Sequence, residues 1–249
     1  DAFGTAHRAH ASTEGVAHLL PSYAGFLMSR EVNALSNMLD DPAHPFLAIL
    51  GGSKVSDKCG VIDRMIDRAD AIIIGGGMCF TFLAAKGLSV GTSLLEEEWV
   101  ERAGAMLDKA LKAGVDILLP IDVVCADEFK ESAQVCTCGI DAIPDDMMGL
   151  DIGPATWSCY REAIAKAKTV FWNSPMGVFE MKPFEGGTKV VAEALARNKS
   201  ACTIIGGGDS VAAIKKFGLE GEYTFVSTGG GASMQLVEGV ALPGVAALC

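Results

Sequence analysis

The sequence predicts an α/β fold: a doubly wound three-layer α/β/α arrangement with a mostly parallel six-stranded sheet. Three observations support this prediction. Short apolar runs alternate with stretches that have the apolar spacing of helices. The runs are apolar on both faces, which is typical of parallel strands covered by helices. Four glycine clusters follow four of the runs and precede predicted helices, at residues 51–52, 75–77, 206–208 and 229–231.

The first 45 residues precede this alternation and have a different pattern. Residues 1–11 are small and polar, whereas residues 14–39 have the apolar spacing of helices. Pro42 and Pro45 mark a boundary before the first strand. We therefore expect a lead-in segment and a long connecting helix ahead of one compact domain.

From residue 46 onward, strands and helices alternate along the chain. The predicted strands are residues 46–50, 71–74, 116–119, 169–172, 203–205 and 223–226. The predicted helices are residues 56–68, 78–86, 96–113, 156–167, 187–196, 210–217 and 232–238. Right-handed crossovers between parallel strands place such helices on both faces of the sheet. Ligands of these folds bind beyond the carboxyl ends of the strands, which is where the glycine clusters are expected to lie.

Composition and charge argue against several classes of protein. The chain has 249 residues and a net charge of −11, which disfavours a nucleic-acid partner because phosphate contacts need a basic surface. The longest apolar stretch, residues 71–85, contains three glycines and is too short to span a bilayer, so we expect no membrane partner. The eight cysteines include no Cys-x-x-Cys pair, which suits a reducing, cytoplasmic location. We expect Cys136 and Cys138 to be small residues in a loop or near a surface, and not metal or redox groups.

The glycine clusters predict a phosphate site. A strand that ends in glycines and leads into a helix directs free N–H groups and the positive end of the helix at one point. None of the clusters completes the Gly-x-Gly-x-x-Gly fingerprint of dinucleotide-binding proteins, and the chain has no Gly-Lys dipeptide for a Walker A loop. The sequence therefore disfavours both an NAD-dependent dehydrogenase and a P-loop enzyme.

Polar residues beside the glycine clusters fit phosphate chemistry. Lys54 and Lys58 are four residues apart at a predicted helix start, so they would share a face and neutralise phosphate charge; a solvated helix face is the alternative. Asp209 follows three glycines and fits either a Mg²⁺ ligand or a helix cap. Asn173 and Glu180 flank a Ser-Pro-Met-Gly turn and either face one crevice or cap a surface turn.

The distribution of histidines bears on the type of chemistry. All four histidines lie at or before His44, so the predicted domain contains none. Acid–base catalysis through imidazole is therefore not expected there. Phosphoryl transfer depends mainly on positioning and charge neutralisation, which lysines, glycine N–H groups and a metal-binding carboxylate supply.

Taken together, these motifs resemble those of the phosphoglycerate kinase family. The matching stretches occur in order along the whole chain, at residues 1–10, 51–58, 73–82, 148–154, 171–180, 204–210, 227–238 and 242–245. The resemblance implies reversible phosphoryl transfer between ATP and 3-phosphoglycerate in glycolysis, with Mg²⁺ bound to the nucleotide. It also implies two lobes that close on a hinge, in an enzyme expected to be monomeric.

The resemblance implies roles for individual residues. Catalytic roles are implied for Lys54, Gly208, Gly230 and Gly231. Nucleotide binding is implied for Gly52, Ser53, Lys58, Gly77, Gly149, Leu150, Asn173, Pro175, Val178, Glu180, Gly207, Gly208, Asp209 and Ser210. Asp209 would also be the metal ligand, and Arg8 with His7 would contact 3-phosphoglycerate. Ser174 stands where the family often has glycine, and Ser210 stands where threonine is common.

The resemblance also divides the chain. Residues 1–25 are expected to be a remnant of an amino-terminal substrate lobe, residues 26–45 an interdomain helix and linker, and residues 46–249 a nucleotide-binding domain. Most of the basic patch for 3-phosphoglycerate would belong to an amino-terminal lobe that this sequence lacks. We therefore expect the chain to bind nucleotide but to transfer phosphoryl groups poorly, because catalysis needs both substrates aligned. A non-catalytic nucleotide-binding module is the alternative.

Overall fold

The structure, a computed structural model, describes residues 1–248; Cys249 lies outside the described residues. In chain order the strands are β1 (Phe46–Leu50), β2 (Ala71–Ile74), β3 (Asp116–Leu118), β4 (Asp122–Ala126), β5 (Val135–Gly139), β6 (Met148–Ile152), β7 (Thr169–Asn173), β8 (Cys202–Gly206) and β9 (Phe225–Val226). The α-helices are α1 (Phe26–Asp40), α2 (Cys59–Ile66), α3 (Cys79–Ala85), α4 (Val100–Ala113), α5 (Pro154–Lys166), α6 (Gly186–Arg197), α7 (Gly208–Lys216), α8 (Gly231–Glu238) and α9 (Pro243–Ala246). Short 3-10 helices cover Phe3–Thr5, Gly15–His18, Glu97–Trp99 and Lys182–Phe184.

The main sheet has six strands in the order β3-β2-β1-β7-β8-β9, and every pairing is parallel. The predicted six-stranded α/β/α fold is therefore confirmed. Every residue of β1 is buried, as its sequence predicts. Phe46, Ala48 and Leu50 pack into the core under α1–α4 and α8, whereas Leu47 and Ile49 pack into the core under α5–α7. This alternation produces the three layers, because successive side chains of a strand point to opposite faces.

A second sheet was not predicted. It has the antiparallel order β5-β4-β6, with a bulge between Val124 and Cys125. Val124, Ala126, Leu150 and Phe184 form a small separate core on one face of this sheet. The strands were missed because β5 is mostly exposed or half-buried and rich in cysteine and threonine, so it lacks an apolar run.

The helix predicted over residues 56–68 begins only at Cys59, so the two lysines at positions 54 and 58 are placed differently from the prediction. The Glu96 carboxylate accepts hydrogen bonds from the backbone N–H of Val55 at 2.5 Å and from the hydroxyl of Ser56 at 2.6 Å. These bonds hold the preceding residues in turns instead of a helix. The expectation that Lys54 and Lys58 share one helix face is therefore wrong, since both lysines precede the first residue of α2.

The amino-terminal segment packs on α1 and α8. The Asp1 carboxylate accepts hydrogen bonds from the N–H groups of Leu27 at 3.2 Å and Met28 at 2.7 Å, at the start of α1. Phe3 is fully buried beside α8, and the N–H of Gly244 donates to the carbonyl of Ala6 at 2.8 Å. Where helices were expected over residues 14–39, the structure has the short 3-10 helix Gly15–His18 and α1. Within residues 1–248, the helices are all too short or too polar to cross a membrane.

Candidate functional site

Three loops meet at the carboxyl edge of the main sheet. The N–H of Gly51 donates to the carbonyl of Asn173 at 2.9 Å, and the N–H of Gly52 donates to the carbonyl of Pro175 at 3.1 Å. The loop after β2 joins them, because the N–H of Gly76 donates to the carbonyl of Met176 at 2.9 Å. Gly76 has a φ of +67°, and a Cβ there would lie 2.4 Å from the Gly52 carbonyl oxygen. Glycine is therefore required for these backbones to approach each other.

A cavity of about 510 Å³ opens at this edge, which is a size typical of small-molecule sites. The predicted site residues that line it are Gly52, Ser53, Gly77, Gly149, Leu150, Pro175, Val178, Glu180 and Asp209. The cavity has further lining residues that were not predicted as site residues, namely Gly76, Thr92, Leu94, Phe129, Met148 and Gly177. Phe129 is 60% exposed, and the signal available in the sequence was a single aromatic residue among the charged residues of 127–131.

Lys58 and Asn173 form a partly buried pair below the glycine loops. The Lys58 ammonium donates to Oδ1 of Asn173, and the Ser174 hydroxyl donates to the same oxygen at 3.1 Å. Burial lowers the pKa of Lys58, although the charges of Asp57 and Asp209 oppose this shift. Because burial reduces screening by water, Lys58 interacts more strongly with an anion bound beside it than an exposed lysine would.

The buried amide of Asn173 has a donor without a partner in the described part of the chain. Its Nδ2 atom makes no hydrogen bond there, although the side chain is 1% exposed. A Cβ on Gly207 would lie 2.7 Å from this Nδ2, so the amide points at the backbone just before α7. A buried polar group without a partner carries a free-energy cost, which a bound oxygen acceptor would remove.

The start of α7 contributes to the cavity wall through Asp209. Gly207 has a φ of +91°, and Gly208 and Asp209 are exposed in the first turn. The Ser210 hydroxyl is buried and accepts the N–H of Ser174 at 2.7 Å, so Ser210 fixes the turn after β7. Ser174 itself has a φ of +71°, a conformation that favours glycine and explains why glycine would suit this position.

The turn after β7 is held from beneath by Asp151. Its carboxylate accepts hydrogen bonds from the N–H groups of Gly187 at 2.7 Å and Ile152 at 2.9 Å. A Cβ on Gly177 would lie 2.3 Å from its Oδ1, so the turn rests directly on this side chain. Desolvation by burial raises the pKa of Asp151 to about 8, and the two backbone hydrogen bonds oppose that rise.

The fourth glycine cluster lies at the start of α8. The buried Glu31 carboxylate of α1 accepts hydrogen bonds from the Ser227 hydroxyl and from the N–H and hydroxyl of Thr228, all at 2.7 Å. The His7 ring lies 3.3 Å from the position of a Cβ on Gly231. The structure therefore brings His7, and Arg8 beside it, close to Gly230 and Gly231 rather than to the cavity.

Lys54 is exposed and does not line the cavity.

The residues around the cavity fit a Mg²⁺ ion that is bound together with phosphate. Residues 1–248 contain no group of three or more His, Cys, Asp and Glu side chains able to hold a metal by themselves. Mg²⁺ usually binds through one or two carboxylates plus phosphate oxygens and water, and does not require an all-protein cage. The exposed carboxylate of Asp209 beside the cavity, with the unpartnered Asn173 donor nearby, matches that arrangement.

The fold and the site together define a doubly wound α/β protein with a ligand cavity at the carboxyl edge of its parallel sheet, where its strand order reverses. The chain belongs to the phosphoglycerate kinase family, since the sequence profile described as "Phosphoglycerate kinase" matches residues 1–240.

Individual relatives carry the same description. A phosphoglycerate kinase of Herpetosiphon aurantiacus is 55% identical over 248 residues, covering 100% of this chain and 63% of the relative. One from Synechococcus sp. (strain CC9605) is 57% identical over 251 residues, with the same coverage. The solved phosphoglycerate kinase of Coxiella burnetii superimposes with a TM-score of 0.95 at 43% identity, covering 98% of this chain and 64% of that one. The chain thus spans about 63% of the length of these curated relatives.

Proposed function

We propose that this chain supplies the Mg²⁺-nucleotide site for reversible phosphoryl transfer between ATP and 3-phosphoglycerate. The observation that carries the proposal is the 510 Å³ cavity with Asp209 in its wall and the Lys58–Asn173 pair beneath the same glycine loops. Membership of the phosphoglycerate kinase family supports the choice of substrates.

The cavity suits an adenosine group. Leu94, Leu150, Val178 and the exposed ring of Phe129 supply apolar surface for a base, and the backbones of the glycine loops allow close approach. Glu180 lies in the same wall and supplies a carboxylate that accepts hydrogen bonds from ribose hydroxyls.

The phosphates would lie between α2 and α7. The Lys58 ammonium and the free Nδ2 of Asn173 donate hydrogen bonds to phosphate oxygens, and the first N–H groups of α7 at Gly208 and Asp209 add the positive end of a helix. Asp209 would hold Mg²⁺, which neutralises phosphate charge when it is bound. A bound phosphate oxygen supplies the acceptor that Nδ2 of Asn173 lacks, and this hydrogen bond contributes to the free energy of nucleotide binding.

The reacting phosphoryl group would lie beyond the cavity. We propose that Lys54 and the start of α8 at Gly230 and Gly231 stabilise its charge, since Lys54 is exposed and free to reach outward. His7 and Arg8 lie beside Gly231 and would face the phosphate of 3-phosphoglycerate. Exposed apolar side chains in the same segment, such as Leu19 and Phe26, would contact an amino-terminal lobe.

Blocking the cavity tests the nucleotide site. Ser53 is an exposed lining residue, so Ser53→Trp would place an indole in the cavity without disturbing the core. Ser158→Trp, at an exposed position of α5, is the matched control. We expect titration calorimetry with Mg²⁺ and ADP to show binding by the parent chain and by Ser158→Trp, and loss of binding by Ser53→Trp. Unchanged binding by a folded Ser53→Trp variant would show that the nucleotide lies elsewhere.

A coupled assay separates a kinase from a non-catalytic nucleotide-binding module. The chain is supplied with ATP, Mg²⁺ and 3-phosphoglycerate, and ADP formation is followed. We expect turnover by this chain alone to be very slow, because alignment of both substrates contributes much of the rate enhancement in such reactions. Turnover above the background rate would exclude the module.

A further inference from the structure

Two cysteines on neighbouring strands of the small sheet touch each other. Sγ of Cys125 in β4 lies 3.6 Å from Sγ of Cys138 in β5. In the strand register Cys138 is opposite Val123, and Cys125 is opposite Cys136, so the touching thiols form a diagonal pair. Local sequence pattern does not predict this contact, because the two residues lie 13 positions apart along the chain.

The alternation of the strands explains the contact. Cys125, Cys136 and Cys138 belong to the core under α1–α4, whereas Val124 and Ala126 face the opposite side of the small sheet. Cys136 is not the near partner of Cys125, since its Sγ points to Sδ of Met147 at 3.2 Å. The geometry therefore selects Cys138 as the thiol that meets Cys125.

We propose that Cys125 and Cys138 form a dithiol site that is oxidised to a protein disulfide by a low-molecular-weight disulfide such as oxidised glutathione. The two sulfur atoms are already in van der Waals contact at 3.6 Å, which is the observation that supports bond formation between them. Diagonal positions lie near the upper limit of the Cα separation that a disulfide spans, so formation of the bond must also draw β4 and β5 slightly together.

The two thiols differ in their access to solvent, which orders the steps. Cys125 is fully buried, and burial raises its pKa; Cys138 is half-buried on the outer strand β5. The Cys138 thiolate attacks one sulfur of oxidised glutathione, whose S–S bond breaks as one glutathione leaves and takes up a proton. Cys125 then attacks Sγ of Cys138, the bond between Cys138 and glutathione breaks, and the departing glutathione thiolate takes up the proton that Cys125 gives up. Two protein thiols are oxidised, and one glutathione disulfide is reduced to two thiols.

A loop of the chain connects the cysteine pair to the cavity. Strands β4 and β5 are joined by residues 127–134, and this loop carries Phe129 into the cavity wall. A disulfide between Cys125 and Cys138 would link the two strands at the base of that loop. The proposal stands without the nucleotide site, because it depends on the thiol geometry alone.

Peptide mapping tests the proposal directly. The folded chain is incubated with oxidised glutathione at mildly alkaline pH, free thiols are blocked, and the unreduced digest is analysed by mass spectrometry. We expect a cross-linked peptide pair that contains Cys125 and Cys138 and lacks two hydrogens. A link between Cys125 and Cys136, or a glutathione adduct on Cys138 without any cross-link, would overturn the proposal.

Two serine variants sharpen the test. Cys136→Ser removes the directly opposite thiol and should leave the cross-link intact, whereas Cys138→Ser should abolish it. The exposed Cys159 and Cys202 serve as internal controls, and we expect them to take up glutathione in all three proteins. Because the map of the parent chain is decisive by itself, failure of a variant to fold does not weaken the test. Loss of the cross-link in Cys136→Ser would contradict the diagonal pairing.

Discussion

The substitution Lys58→Met tests the phosphate end of the cavity. It removes the ammonium group but keeps an unbranched side chain of similar length in the partly buried position. Asn173 Oδ1 loses one donor and keeps the Ser174 hydroxyl at 3.1 Å, so the amide is not left without a partner at that atom. We therefore expect the free energy of unfolding to change by no more than about 1 kcal/mol.

The effect on nucleotide binding should be larger than the effect on stability. A hydrogen bond to a charged group contributes about 1.5–3 kcal/mol, so its loss should weaken ADP binding by about 10-fold to about 100-fold. Burial of Lys58 reduces screening by water, which strengthens this interaction relative to one made by an exposed lysine.

Titration calorimetry with Mg²⁺ and ADP at one fixed salt concentration measures this change. Lys166→Met is the matched control, because Lys166 is exposed on α5 and pairs with Glu162 at 2.6 Å on the surface. The control should bind ADP as the parent chain does. A folded Lys58→Met variant whose Kd for ADP stays within about twofold of the parent value would refute the placement of phosphate at Lys58.

Three further predictions concern the scaffold. Glu31→Ala removes a buried carboxylate that accepts three hydrogen bonds, and urea denaturation should show a loss of about 3 kcal/mol or more. A loss below about 1 kcal/mol would contradict the role of Glu31. Gly76→Ala places a Cβ against backbone at a φ of +67° and should lower the free energy of unfolding by about 2–4 kcal/mol. Gly87→Ala, at a φ of +82° in open space, should lower it by only about 1 kcal/mol. Equal losses in the two variants would disprove the close approach of the backbones at Gly76. The pKa of Asp151 is about 8 in the folded chain, against an ordinary value of 3.8, so the folded state holds the carboxyl proton more tightly than the unfolded state does. The free energy of unfolding therefore falls as pH rises between these two values. Asp151→Asn should flatten that part of the pH profile in urea denaturation, and an unchanged slope would show that Asp151 does not titrate there.

The main sheet could be predicted from the sequence because its signal is local. The residues of β1 are apolar at every position, and glycines follow four of the strands. Parallel order then places those glycines at one edge without further information. The small sheet gave no such signal, because β5 is exposed or half-buried along its length and its pairing depends on contacts with β4.

The site could be predicted only in part, because some of its features depend on contacts between distant residues. The glycine loops and Asp209 follow from local pattern, and the cavity lies where the strand ends indicate. The pairing of Lys58 with Asn173 joins residues 115 positions apart, and the Glu96 contacts that delay α2 join residues about 40 positions apart. Local spacing could not reveal either contact, so it wrongly placed Lys54 and Lys58 on one helix face.

The dependence of ADP binding on Mg²⁺ tests the central claim most directly. The Kd for ADP is measured by titration calorimetry with Mg²⁺ and with a chelator, for the parent chain and for Asp209→Asn. We predict tighter binding with Mg²⁺ in the parent chain and a much smaller metal effect in Asp209→Asn, because the carboxylate at the start of α7 holds the cation. Absence of ADP binding by the folded parent chain, or the same metal dependence in both proteins, would contradict a Mg²⁺-nucleotide site in this cavity.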